Sequence, residues 1–366
     1  MSASRVAIVG CGVISGVYAD TLSKLGFVRL AACVDALSDR ATELAGRYDA
    51  RALDLDAALA DPDVDVVVNL TPPRAHAEVT RRALEAGKSV FSEKPLGVEL
   101  GEGAALVDAA RARGARLGCA PDTFLGAGLQ TARAVIDRGD IGEPVAANAF
   151  MLQAGPEWWH PDPGLFYERG AGPLFDMGPY YFTTLVQLLG PARAVSAGAR
   201  VSRATRTISS EPRRGALIDV EVPTHVSTVV EMASGPVATF VASFDVQASR
   251  YRNLEIYGTE GTLSVPDPNT FGGPVTIRRF GDGSWTEVDL VEANVPQQRG
   301  IGLADMVWAQ RTGRAHRASD ALALHVLEIM CATIESAEHG ARVDLETTCE
   351  RAAPLPVGLP PNTFDD

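Results

Sequence analysis

Apolar positions in roughly the first 120 residues form short β-branched runs separated by stretches with helical spacing. Arg5–Val9, Val28–Val34, Asp65–Leu70, Ser89–Ser92 and Ala115–Cys119 read as strands. Val13–Leu25, Ser38–Tyr48, Arg74–Ala86 and Glu99–Arg113 read as helices, with Ser38 an N-cap and Gly87 a stop signal. Continuous apolar strands alternating with helices predict parallel βαβ units and a sheet covered on both faces. The pattern changes after about residue 122. A helix over Leu125–Asp137 and a strand over Val145–Gln153 lead into a mostly β stretch, Val195–Val288, punctuated by Gly, Pro and Asn. Two helices follow, near Gly302–Gln310 and Ser319–His339, and a proline-rich tail from Ala353 is expected to run along the surface. The expected fold is α/β: a doubly wound parallel sheet over residues 1–122, then an α+β domain over 123–352 with a large open, mostly antiparallel sheet, then the tail 353–366.

Composition narrows the partners. The chain has 366 residues, 46% hydrophobic and 22% charged, with a net charge of −13. A negative surface repels phosphate backbones, so no nucleic-acid partner is expected. No apolar segment approaches the ~20 residues needed to cross a bilayer, so no membrane partner is expected either. Five cysteines without a Cys-x-x-Cys pair predict buried thiols in a reduced, cytoplasmic setting. The scattered histidines show no ligand spacing, so no metal is expected.

Gly10-x-Gly12-x-x-Gly16 lies between a strand and a helix. The first glycine suits a tight turn, the second a close approach to a pyrophosphate, and the third close packing of helix on strand. The helix N-terminus would offer free N–H groups to phosphate, so Gly10, Gly12, Val13, Ile14 and Gly16 form the candidate cradle. Asp35 ends the second strand, where a carboxylate can accept ribose hydroxyls and repel a 2′-phosphate; NAD is therefore favoured. Arg40 could offset that repulsion, which leaves NADP open, and Asp35 could instead cap the next helix. Of 33 basic residues only Lys24, Lys88 and Lys94 are lysines. Unlike arginine, a lysine can release its proton when its pKa is lowered, and Lys94 follows a parallel strand, where ligands of such sheets bind.

The glycine turn, "NLTPPRAHAEVTRRALEAGKSVFSEKPL" (Asn69–Leu96) and "GAGPLFDMGPYY" (Gly170–Tyr181) together resemble the Gfo/Idh/MocA oxidoreductases. The resemblance implies hydride transfer between NAD(P) and one carbon of a sugar, cyclitol or glycoside. It places Lys94 beside the nicotinamide and the reacting hydroxyl. It likewise implies nicotinamide-ribose contacts for Asn69, Thr71, Pro72, His76 and Glu93, although His76 could equally pack at its helix start and Glu93 form a surface ion pair. The family's Asp-x-Gly-x-His motif reads Asp176-Met-Gly178-Pro-Tyr180 here, so a phenol replaces the imidazole. Tyr180 would need a cation such as Lys94 to lower its pKa from about 10. Asp176, four residues earlier, would share its helix face. Asp176 could instead cap that helix, Tyr180 could be a core aromatic, and Tyr181 is the competitor one position away.

Glu157–Tyr167, "EWWHPDPGLFY", concentrates aromatics in a chain that is 6% aromatic. Trp158, Trp159, His160 and Tyr167 are candidates to line a polyol site, since aromatic faces stack on sugar C–H groups; a subunit contact is the alternative. Asp122 and Thr123, past the last parallel strand, are further substrate candidates or a boundary turn. Two other readings stay open: a redox-neutral, NAD-dependent cleavage of glycosides, and a non-catalytic NAD sensor. The broad sheet predicts self-association to a dimer or tetramer.

Overall fold

A computed structural model describes residues 3–251, 253–291, 297–357 and 362–365. The chain forms two compact units: Met1–Ala127 with Val291–Leu324 and Ala352–Asp366, and Gly128–Leu290 with His325–Arg351.

In the first unit β1 (Ser4–Val9), α1 (Ser15–Ser23), β2 (Val28–Val34), α2 (Ser38–Arg47), β3 (Arg51–Ala52), α3 (Leu55–Ala60), β4 (Val66–Asn69), α4 (Pro73–Glu85), β5 (Ser89–Ser92), α5 (Leu100–Ala112) and β6 (Leu117–Cys119) follow in order. The six strands lie β3-β2-β1-β4-β5-β6 and every pairing is parallel. This is the doubly wound order of dinucleotide-binding sheets, whose switch point lies between β1 and β4. Val6, Ala7, Ile8, Val67 and Val68 are wholly buried there, as strands covered on both faces require. The short β3 and α3 have no counterpart in the sequence reading: two residues are too few to show a period.

The second unit holds α6 (Ala127–Asp137), β7 (Pro144–Leu152), α7 (Gly172–Leu189), β8 (Ala192–Arg200), the hairpin β9 (Thr205–Thr207) and β10 (Leu217–Asp219), and β11 (His225–Met232) to β16: β12 Val237–Ser243, β13 Leu254–Gly258, β14 Gly261–Val265, β15 Thr276–Arg279 and β16 Thr286–Glu287. With β17 (Val343–Asp344) they build a nine-stranded sheet, β16-β15-β14-β13-β7-β12-β11-β8-β17. Its pairings are antiparallel except β7 with β12, which run parallel. Along β12, buried Ala238, Phe240 and Ala242 alternate with half-buried Thr239 and Val241, so one face is packed and the other open. Helix α7 packs on β7, β11 and β12.

The chain then returns to the first unit through α8 (Ile301–Thr312) before α9 (Asp320–His339). The proline-rich tail does not simply run along the surface: Leu355 and Phe364 are buried. Arg317 donates to the carbonyls of Ala353, Pro354 and Phe364 and pairs with Asp305, which has no exposed surface. Arg314 joins Asp305 to Asp365. Arg317→Ala should free the tail carbonyls and leave Asp305 to Arg314 and the backbone amide at 317, at a cost of about 2 kcal/mol. Thermal melts should show a fall of several degrees, with faster proteolysis of the tail; an unchanged melting temperature would contradict this role.

Candidate active site

Gly10 ends β1 with φ +99°, and a Cβ there would lie 2.7 Å from the Leu70 carbonyl. Only glycine lets these two backbones pass so closely at the switch point. Gly12 has open space around its missing Cβ. Helix α1 begins without a side-chain cap; Ser15 N and Val17 N turn back to Gly12 O and Ile14 O. Val13 stands fully exposed and Ile14 half-buried at this mouth. Gly16 does not serve the expected close packing, since an added Cβ would meet only the Arg47 guanidinium, at 3.9 Å. Asp35 accepts from Cys11 N at 2.7 Å and Leu37 N at 2.8 Å, one bond to each oxygen. Its remaining lone pairs can still accept hydroxyls. An open glycine turn at a helix N-terminus and this carboxylate fit a dinucleotide: Gly10, Gly12, Val13, Ile14 and Gly16 would hold the pyrophosphate, and Asp35 the adenosine ribose.

The loop after β4 is locked from within. The buried Asn69 side chain donates to His76 O at 2.8 Å and Thr80 Oγ1 at 3.0 Å, and accepts from Thr71 N and Oγ1. Its expected contact with a ribose is thus replaced by a structural one. His76 is likewise committed rather than presented to a ligand: it is 1% exposed, with Nδ1 2.9 Å from Pro95 O and Nε2 2.6 Å from Thr71 O. Burial pushes its pKa down, and the neutral ring can donate to only one of those carbonyls. Thr71 and Pro72 remain at the rim, Pro72 entering α4 ahead of Pro73 in the first turn.

Lys94 lies two residues past the end of β5 and is half-buried. Its backbone N–H donates to Glu93 Oε2 at 3.0 Å, while Glu93 Oε1 accepts from the Tyr18 hydroxyl at 2.9 Å. Sequence reading missed Tyr18, a wholly buried aromatic of α1 whose only signal was its place on the apolar face.

Asp122 and Thr123 are not substrate-facing: each is 1% exposed. Asp122 Oδ2 accepts from Gly300 N at 2.8 Å and Gly302 N at 3.0 Å, and so caps α8. Thr123 opens the short 3₁₀ turn Thr123–Leu125.

In the second unit Asp176, half-buried, and Tyr180, 6% exposed, sit four residues apart on α7. Tyr181 belongs to the core: its hydroxyl donates to Phe150 O at 3.1 Å, and its ring stacks on Phe240 with centroids 5.0 Å apart. Trp158 and Trp159 stay 66% and 49% exposed. His160 is half-buried and meets Phe166 edge-on, with ring centroids 5.0 Å apart. Tyr167 does not line a surface; it is wholly buried, and its hydroxyl is given to Glu157 Oε2 at 2.6 Å.

Residues 4–120 match the family described as "Oxidoreductase family, NAD-binding Rossmann fold", and residues 129–264 match its "GFO/IDH/MocA C-terminal domain". The chain belongs to the Gfo/Idh/MocA oxidoreductases. It is similar to inositol 2-dehydrogenase 3 of Saccharopolyspora erythraea, 29% identical over 74% of this chain and 75% of the relative. It is similar to scyllo-inositol 2-dehydrogenase (NAD(+)) of Bacillus subtilis, 25% identical over 93% and 96%. An NAD-binding oxidoreductase from Klebsiella pneumoniae shares the fold, with a TM-score of 0.81 at 23% identity, covering 94% of this chain and all of that one. This member of the family is therefore an NAD-binding oxidoreductase.

Burial pushes the Asp122 carboxyl up to about 6, above the unfolded ~3.9. Between those values the folded protein keeps a proton that the unfolded chain has released. This group therefore makes stability fall as pH rises from about 4 to 6. Asp122→Asn should flatten that part of the stability–pH curve while leaving substrate KM within about twofold, the tolerance of a residue outside the site. A large KM increase would return Asp122 to the substrate.

Proposed function

We propose that the enzyme oxidises or reduces one ring carbon of a cyclitol or sugar with NAD. The observation that carries this reading is Lys94. It is one of three lysines among 33 basic residues. It is half-buried just past a parallel strand, between a Glu93 braced by Tyr18 and a Pro95 facing His76. Ligands of doubly wound sheets bind at that end of the strands. The names of the inositol dehydrogenases it resembles support a polyol substrate.

A bound nicotinamide supplies the hydride acceptor or donor. The Lys94 ammonium donates a hydrogen bond to the reacting oxygen and stabilises negative charge as the proton leaves. In oxidation Tyr180 takes up that proton as a phenolate and in reduction returns it as the phenol, and Asp176 accepts from a substrate hydroxyl. The roles of Asp176 and Tyr180 rest on motif spacing and on Tyr181 being committed elsewhere. Trp158, Trp159 and His160 offer aromatic faces and N–H donors to the ring. Thr71, Pro72 and Glu93 bound the nicotinamide end.

A panel of inositols, sugars and glycosides with NAD and NADP should give NADH formation with at least one ring polyol. Lys94→Ala should lower kcat by about 100-fold or more, with an unchanged melting curve and NADH affinity. Tyr180→Phe should lower kcat similarly at near-constant KM. Retained kcat in a folded Lys94→Ala protein would refute the reading.

We also infer self-association through the open sheet face. Val229 and Val237, 42% and 45% exposed, stand on it with Thr239 and Val241. Light scattering should give a dimer or tetramer, and Val229→Lys should lower that mass; a monomer mass in the unaltered protein would sink the inference.

A further inference from the structure

In the second unit, a cluster of buried charge lies around Arg206. This residue sits in β9, within the excursion between β8 and β11, and its side chain is 6% exposed. Nη1 donates to Glu157 Oε1 at 2.8 Å and to Phe244 O at 3.3 Å, and Nη2 pairs with Asp245. The guanidinium also lies over the Tyr167 ring, 5.4 Å from its centroid. Both carboxylates have further partners, while Arg206 Nε is buried without an acceptor. Glu157 Oε2 takes the Tyr167 hydroxyl, and Asp245 takes Ser202 Oγ at 2.7 Å and Thr224 Oγ1 at 2.6 Å. Gly155, φ +91°, leaves room for the Glu157 carboxylate, since a Cβ there would lie 2.2 Å from Oε2.

Three distant stretches are thereby fastened at one place. The excursion reaches the segment after β7, and both reach the end of β12, where Ser243 pairs with Leu152 of parallel β7. The excursion grips the aromatic segment by its backbone as well. Ser209 N and Ser210 N both donate to Glu157 O at 2.9 Å, and Ser210 Oγ donates to His160 O. Directly after Glu157 come Trp158 and Trp159, both substantially exposed. From Trp159 an edge-to-face chain of rings runs through Phe166 to buried Phe244. Large aromatic faces stand in water while the backbone beneath them is bolted down. A surface ordered before binding loses less freedom when a ligand arrives.

We propose that Arg206 is a positioning residue that holds Trp158, Trp159 and His160 as a preformed stacking surface for the ring of a polyol. This rests on the polyol reading above and adds to it what sets substrate affinity. Burying a guanidinium among two carboxylates is a poor way to gain stability, whereas it fixes geometry tightly. Arg206 acts through Glu157 and the two serines, not on the reacting atoms.

The test measures KM and kcat for myo-inositol and D-glucose, NADH affinity, and acrylamide quenching of tryptophan fluorescence. Arg206→Met should raise KM roughly tenfold, keep kcat and NADH affinity within twofold, and make the tryptophans easier to quench. Trp158→Ala, at an exposed position, should raise KM without altering the melting curve. If Trp158→Ala raises KM but a folded Arg206→Met leaves KM and quenching unchanged, the positioning role is wrong and the polyol surface stands. If Trp158→Ala leaves KM unaltered, or lowers the oligomer mass instead, the segment is not a polyol surface and the proposal falls with it. Should Arg206→Met fail to fold, Glu157→Gln, which keeps an acceptor for Tyr167, is measured in its place, and an unchanged KM there overturns the proposal.

Discussion

The close passage of Gly10 under the Leu70–Thr71 peptide is the constraint on which the first unit's chemistry depends. It exists because β1 and β4 are neighbours at the point where the strand order reverses. No residue with a side chain fits between them. The glycine turn is thus pinned against the loop after β4. Asn69 and His76 stiffen that loop internally, and His76 carries the connection on to Pro95, next to Lys94. Cradle and lysine corner are therefore linked through buried backbone contacts with little slack. A group that must act on one atom of a bound substrate gains from being held this way.

The second unit uses a different device. Its aromatic segment is anchored by the buried Tyr167 ring and by charge: one guanidinium, two carboxylates and a phenol closed on one another. Removing Arg206 would leave both carboxylates without their cation. The two solutions share a logic. Each fixes a loop from beneath, through buried groups.

Much of this was legible in the chain, and the misses have physical causes. Parallel strands announced themselves through continuous apolar runs, and the open sheet through successive β stretches punctuated by Gly, Pro and Asn, because both are local patterns. The glycine turn and the Glu93–Lys94–Pro95 corner were visible as short motifs. Residues whose partners lie far along the chain were misread. Asp122 looked like a substrate ligand because its partners are amides nearly 180 residues away. Tyr167 looked like part of an aromatic surface because nothing in the sequence ties it to Glu157 and Arg206. Leu355 and Phe364 lay in a proline-rich tail, where buried anchors carry no periodic signal. Arg206 itself was one arginine among many. Gly16 matched its motif, yet the reason usually given for it does not hold here.

The central claim is that the Lys94 amine works at the redox carbon. The most direct check is a crystal structure of the enzyme with NADH and a polyol bound. The account requires Nζ within hydrogen-bond reach, about 3 Å, of the reacting oxygen. An amine turned into bulk solvent, or more than about 10 Å from the nicotinamide ring where no direct contact can act, would contradict it.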